Sequence, residues 1–259
     1  METTNKTSNL LITFAAVIKK LQMADKTIAK KEQVKNMFNS IAHRYDFLNH
    51  FLSFGIDFYW RRRVLRIVKR LKPETVLDIA TGTGDLAILV SKASPKKITG
   101  IDISASMLQK GREKIMNRKL GSLIELRQGD AENLEFADNS FNLAMVAYGV
   151  RNFENLEKGL KEIRRVLKPG GALLVLEFST PRRFPVKQLY RFYSFHILPF
   201  IGKLVSNDAS AYSYLPESVA HFPSFEDFTE VLKNCGFKNT KYHSLTGGIS
   251  TIYEGYKSE

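Results

Sequence analysis

The stretch TVLDIATGTGD, Thr75 to Asp85, decides the fold. Its first six residues, TVLDIA (75–80), make an apolar run of strand length, the pattern of a strand buried on both faces. A glycine turn follows at once, and LAILVSKA (86–93) resumes with helical spacing. A strand that enters a glycine turn and leaves as a helix begins the crossover of a parallel sheet.

The pattern repeats downstream. ITGID (98–102) reads as a strand, and SASMLQKGREKIMN (104–117) as a helix with a serine cap. LIELRQGD (123–130) and FNLAMVAY (141–148) read as strands. NLEKGLKEIRRVL (155–167) is expected to be a helix stopped by Lys168-Pro169-Gly170-Gly171, and ALLVLEF (172–178) a further strand. The alternation predicts an α/β fold, an open parallel sheet with helices on both faces. After Phe178 it breaks. Residues 179–222 form an aromatic-rich insertion before a helix at 224–237, closed by Gly236, and a final pair of strands, KNTKYHSL and STIYEGY.

Upstream, Val34, Met37, Phe38, Ile41 and Tyr45 recur at helical spacing, so 32–72 is expected to be a helical cap. Residues 1–31 are expected to be a flexible extension, and 32–259 a single domain carrying both cap and insertion. LLITFAAVI (10–18) is followed by Lys19 and Lys20, whereas a signal peptide carries its charge first. A better start lies at Met23, and residues 1–22 are expected to be dispensable.

Composition narrows the function classes. No apolar run reaches the roughly 18–20 residues of a membrane span. One cysteine, Cys235, excludes a disulfide scaffold or zinc ribbon and fits a reducing cytoplasm. His43, His50, His196, His221 and His243 show no ligand spacing, so no metal is expected. The net charge of +13 is uneven: residues 1–72 hold 15 basic and 5 acidic groups, while 73–180 hold 15 and 14. A basic surface suits nucleic acid or an anionic membrane.

The glycine turn has two readings. Gly82-Thr83-Gly84-Asp85-Leu86-Ala87 fits the G-x-G-x-x-A fingerprint of dinucleotide folds, which alone is weak. Three carboxylates turn it toward S-adenosylmethionine. Asp78 lies within the first strand, where it suits a cationic amino group. Asp102 ends the second, where it can accept ribose hydroxyls. Asp130, with Ala131 beside it, ends the third, where an adenine edge can be read. The alternative for Asp130 is a helix N-cap. Met107 is either core packing or an apolar wall beside adenine.

Longer stretches are more specific. FNSIAHRYDFLNHFLSFGIDFYWRR (38–62), VLDIATGTGD (76–85), AYGVRNFEN (147–155), RRVLKPGGALLVLEFSTP (164–181), FYSFHILPFIGKLVSNDASAYSYLPESVAHFPS (192–224) and GGISTIY (247–253) resemble the UbiE/MenG family of quinone-biosynthesis C-methyltransferases. The strand order likewise resembles class I S-adenosylmethionine-dependent methyltransferases, a Rossmann-like seven-stranded sheet whose last strand pair is antiparallel. The resemblance implies S-adenosylmethionine as methyl donor, with Thr83, Asp102, Asp130 and Ala131 touching it. It implies methylation of a ring carbon of a polyprenyl quinol, demethylmenaquinol to menaquinol, or the equivalent step on a ubiquinone-pathway methoxyphenol. Ala147 stands where the family often has serine, and Ala80-Thr81 where many relatives carry Ala-Gly.

An aromatic carbon is a poor nucleophile until a ring hydroxyl ionises, and a phenol has a pKa of about 10. A nearby cation favours the phenolate. Arg151, directly after the fourth strand, is the candidate cation, with a surface ion pair as the alternative. Arg151 cannot accept a proton at neutral pH. Tyr45, Asp46 and Asn152 are the candidates to position the group that does, though Tyr45 also fits core packing. Ala147 to Asn152 lacks the Asn/Asp-Pro-Pro-aromatic turn of enzymes that methylate base amines, and Cys235 is misplaced for a pyrimidine nucleophile, so no nucleic-acid partner is expected. A non-catalytic S-adenosylmethionine-binding protein is the other class.

Residues 178–207 carry no acid and five bases, Arg182, Arg183, Lys187, Arg191 and Lys203, among many large apolar side chains. That composition suits an interfacial element at a membrane surface, or a lid over the site. Pro199 is expected to break any helix there. The expected location is cytoplasmic, peripherally associated with the inner face of the membrane, with a homodimer possible.

Overall fold

The computed structural model describes residues 31–40, 42–43, 53–197 and 210–259, without the side chains of 195 and 210–213. Seven strands form one sheet: β1 Thr75–Ile79, β2 Lys97–Asp102, β3 Ile124–Gln128, β4 Phe141–Ala147, β5 Leu167–Phe178, β6 Lys238–Leu245 and β7 Ser250–Tyr256. Their order is β3-β2-β1-β4-β5-β7-β6. β1 pairs in parallel with β2 and β4, β2 with β3, and β4 with β5. β7 inserts between β5 and β6 and runs antiparallel to both.

Helices cover both faces: α1 over 31–40, α2 Ile56–Leu71, α3 Asp85–Val90, α4 Ala105–Asn117, α5 Leu156–Val166, α6 Val186–Phe192, α7 Ser210–His221 and α8 Glu226–Asn234. The period of two along the central strands divides the core. From β4 and β5, Ala144, Val146, Leu173 and Val175 pack with Leu160 and Ile163 of α5 and Phe228 and Leu232 of α8. Leu143, Met145, Leu174 and Leu176 point the other way, toward Val64 and Val68 of α2, Leu86 and Val90 of α3, and Leu108 of α4. Both faces being covered explains why these strands read as continuous apolar runs. At one edge of the sheet, β6 is half exposed and carries Lys238 and Lys241, charges that discourage further strand pairing.

Two sequence expectations change. The cap is not one helix: Ala42 and His43 lie in a turn, and α2 starts only after Gly55, whose φ of 71° favours glycine. The helix does stop before Lys168-Pro169-Gly170-Gly171, but the next strand, expected from 172, already includes these residues: β5 begins directly after α5. The register against β4 slips there, from Phe141 opposite Leu167 to Leu143 opposite Ala172, and such an irregularity tolerates a proline. The insertion contributes α6, a single π-helical turn at Tyr193–Ile197, and α7 with Pro216 inside it. Pro199 and Tyr45 lie outside the described residues.

Candidate active site

The carboxyl ends of β1, β2 and β4 open onto a pocket, the place where open α/β sheets bind their ligands. Gly82, Asp102, Met107, Asp130, Ala131 and Asn152 line it, as do Lys31, Val34 and Phe38 of α1.

The glycine turn bends sharply because Ala80, Gly82 and Gly84 all take positive φ, at 53°, 56° and 79°. The Gly82 N–H donates to Asp102 Oδ2 at 2.8 Å, and the Ser104 N–H to Asp102 Oδ1 at 2.8 Å. Each carboxylate oxygen keeps a second lone pair for a ligand hydroxyl. Burial raises the Asp102 pKa, while those N–H groups oppose the rise. α4 reaches this turn closely: a Cβ on Gly111 would stand 3.2 Å from the Thr83 carbonyl carbon. Ser104 caps α4 by accepting from the Met107 N–H, and its hydroxyl donates to Asn39 Oδ1 of α1 at 2.6 Å. Asp130 accepts the Glu132 N–H at 2.9 Å and pairs with Lys31. α1 is therefore tied over the cavity at two points, through Lys31 and Asn39.

Other expected residues sit beneath or behind the cavity. Asp78 is fully buried, accepts the Thr81 hydroxyl at 2.6 Å, and has its pKa pushed up to about 7, chiefly by burial. Its carboxyl does not line the cavity. Thr83 is buried too, and its hydroxyl accepts from Lys114 at 2.9 Å. Arg151 makes an ion pair, but a buried one: its side chain is 7% exposed and meets the wholly buried Glu177 at 2.7 Å. Asn152 lines the cavity, and its Oδ1 accepts the Tyr214 hydroxyl from α7 at 2.8 Å.

The cavity and the glycine turn lie together at the carboxyl ends of the parallel strands. Residues 26–257 match the model of the ubiE/COQ5 methyltransferase family. The chain belongs to the ubiE/COQ5 methyltransferase family. It is 44% identical over 240 residues to the demethylmenaquinone methyltransferase of Porphyromonas gingivalis, covering 92% of this chain and 98% of that one. It is 46% identical over 234 residues to the ubiquinone/menaquinone biosynthesis C-methyltransferase UbiE of Geotalea daltonii, covering 90% and 99%. Among solved structures it resembles a SAM-dependent methyltransferase from Aquifex aeolicus, with a TM-score of 0.53 at 19% identity over 71% of this chain and 81% of that one, a likeness of fold.

This member of the ubiE/COQ5 methyltransferase family is an S-adenosylmethionine-dependent C-methyltransferase. Its residues fit the donor. Asp102 has lone pairs open beside the Gly82 backbone, Met107 gives an apolar wall, and Asp130 with Ala131 closes the far corner. Sequence reasoning missed four features of this family member's site. Lys31 and Phe38 reach the cavity from α1, across about a hundred residues of sequence that carry no local sign of it. Tyr214 arrives from the insertion. Glu177 did leave a sign, as the one acid within the apolar run ALLVLEF.

Proposed function

We propose that the chain transfers a methyl group to a ring carbon of a polyprenyl quinol, converting demethylmenaquinol to menaquinol. The observation that carries this reading is the near full-length similarity to the Porphyromonas gingivalis demethylmenaquinone methyltransferase. The name of the Geotalea daltonii relative spans both quinone pathways, which makes a methoxy-polyprenylphenol the second acceptor.

S-adenosylmethionine supplies an electrophilic methyl group when bound. The Gly82 backbone and Asp102 hold its ribose side, Asp130, Ala131 and Met107 its adenine side, and Asp78 and Thr83 shape the turn beneath. Arg151 favours ionisation of the ring hydroxyl, which makes the neighbouring carbon nucleophilic. Asn152 and Tyr45 position the proton acceptor. The remaining acceleration comes from alignment of donor and acceptor. No metal and no nucleic acid enters this reading, and a homodimer is compatible with it.

A polyprenyl tail keeps its quinol in the bilayer, since each buried CH₂ contributes about 0.8 kcal/mol. The enzyme therefore works at the inner membrane face. Phe184, Leu189 and Phe192 are exposed on the insertion, and Phe54, Ile56, Phe58 and Tyr59 at the start of α2. The two stretches meet where the Phe54 and Tyr193 rings approach to 6.1 Å. Arg183, Lys187 and Arg191 flank them with positive charge, as an anionic surface requires. Arg182 is committed elsewhere, to Glu226 at 2.6 Å and to the Phe225 ring.

The test is the purified full chain with labelled S-adenosylmethionine and a panel of quinols in anionic vesicles, products identified by mass. Ring-methylated menaquinol is the expected product. Turnover only of a nucleic acid, or cofactor binding with no turnover of any quinol, would overturn the reading. Changing Arg183, Lys187 and Arg191 to glutamine should lower turnover of long-tailed quinol and spare a short, soluble one. Equal losses on both would make the insertion an active-site lid and nothing more.

A further inference from the structure

We propose that Glu177 is the positioning residue of the methyl-acceptor site: it fixes the Arg151 guanidinium so that one of its nitrogens is presented to the ring oxygen of the acceptor. The inference rests on the acceptor reading above and adds the group that makes Arg151 effective.

Glu177 is the one acid in the otherwise apolar run ALLVLEF (172–178). It is wholly buried, and burial pushes its pKa up while Arg151 opposes the rise. A buried ion pair is a poor device for stability, because desolvating two charges offsets their attraction, and apolar residues of similar volume serve as well or better. An acid in the middle of ALLVLEF therefore calls for another explanation, and its contacts supply one. Glu177 grips Arg151 at both ends. Oε1 accepts from Nη1 at 2.7 Å, and Oε2 from the Arg151 backbone N–H at 3.3 Å. The Phe178 N–H donates to Oε1 at 2.9 Å and holds the carboxylate itself in place.

The rest of the guanidinium is constrained by neighbours. Nη1 also donates to the Tyr148 carbonyl at 2.6 Å, and Nε to the Ser218 hydroxyl of α7 at 3.3 Å. The guanidinium carbon lies 5.6 Å from the centre of the Phe178 ring. Nη2 makes no hydrogen bond among the described residues, so it is the nitrogen left to donate. A planar guanidinium with two of its nitrogens tied through three hydrogen bonds loses little freedom when its last nitrogen engages a ligand. Glu177 is itself braced by the sheet. It stands opposite Thr251 of β7, and the Ser250 hydroxyl donates to its carbonyl at 3.2 Å.

The experiment measures kcat against pH for the full chain acting on a short-tailed quinol, with cofactor affinity and thermal stability recorded alongside. Rate should rise with pH as the bound ring hydroxyl ionises. In Glu177→Gln the guanidinium loses its anchor, so this limb should move to higher pH, with kcat about tenfold lower at pH 7, one pKa unit, and recovering at alkaline pH. Cofactor affinity should stay within about twofold, because Asp102 and Gly82 are untouched. The sign is diagnostic. Removal of a negative charge from beside an unmoved arginine would favour the phenolate and shift the limb downward. Glu177→Asp keeps the charge but shortens the reach by one methylene, and should shift the limb in the same upward direction if Glu177→Gln folds poorly. The neutral pair Arg151→Gln with Glu177→Gln removes both buried charges; it should recover stability without recovering turnover. A limb that stays put or moves downward, or wild-type kcat in the neutral pair, would overturn the proposal. Failure of the wild-type chain to methylate any quinol would instead defeat the acceptor reading on which it rests.

Discussion

The two halves of the site are built on opposite principles. On the donor side, at the ends of β1, β2 and β3, the working groups are backbone N–H donors and short acids, arranged by a sharp turn and a capped helix within residues 78–131. On the side proposed for the acceptor, after β4 and β5, Arg151 is held by the buried Glu177, the Tyr148 carbonyl and Ser218 of α7, while Tyr214 of the same helix bonds Asn152. The first half is specified locally. The second is a long-range assembly whose arginine is paired with a buried carboxylate from the next strand. Ionising a particular ring hydroxyl takes a charge held in one orientation.

The largest effect expected on the donor side comes from Asp78. Its folded pKa of about 7 stands above the ordinary carboxylate value, so between about pH 4 and 7 the folded chain holds a proton that the unfolded chain has lost. Its contribution to stability is full below the unfolded pKa and is lost as pH rises through the folded one, by about 4 kcal/mol for a shift of this size. Asp78→Asn should remove that slope in denaturant titrations taken from pH 4 to 8, and leave cofactor affinity close to wild type. A collapse of affinity in this variant would mean that Asp78 touches the donor directly and would move it from the floor of the turn into the cavity.

Asp102→Ala comes next. It strips ribose hydroxyls of a charged acceptor and should weaken S-adenosylmethionine binding by about 2–4 kcal/mol in calorimetry. The same variant should leave the pH limb set by Arg151 where it is. Movement of that limb would erase the separation drawn between the two halves.

That Gly82, Asp102, Asp130 and Ala131 would share one cavity was legible in the sequence, and for a physical reason. Gly82, Asp102, Asp130 and Ala131 meet because each ends or follows a parallel strand, and strand ends can be read from hydrophobic pattern alone. Thr83 shows the limit of that reading: its position was legible, but its hydroxyl turns to Lys114 rather than to the cavity. Arg151 and Asn152 were legible as residues after β4, yet the Arg151 ion pair lies in the interior rather than at the surface. Glu177 was hidden by its own strand, since one acid among six apolar residues reads as core. Lys31 and Phe38 depend on where α1 lies, and a helix at that distance in sequence carries no mark of the strand end it covers.

The smallest effect belongs to the acceptor side. Tyr214→Phe removes the hydroxyl that donates to Asn152 and should cost about 0.5–1.5 kcal/mol, the net worth of one hydrogen bond. It should appear as a raised KM for quinol with unchanged cofactor affinity in initial-rate assays. If cofactor affinity falls instead, α7 braces both halves and the comparison loses its edge.

The placement of β7 has a consequence for how the chain assembles as it is made. Domains begin to form while synthesis proceeds from the N-terminus. β1 to β4, with α3 and α4 between them, can pair as soon as residue 147 has emerged, so the nucleoside half can take shape early. β5 emerges shortly afterwards with Glu177 on it, but one whole side of that strand is a place kept for residues 250–256. Until they arrive, β5 presents an open edge, a row of unpaired backbone groups of the kind to which a stray strand can add. The arrival of β7 therefore both completes the sheet and closes that edge.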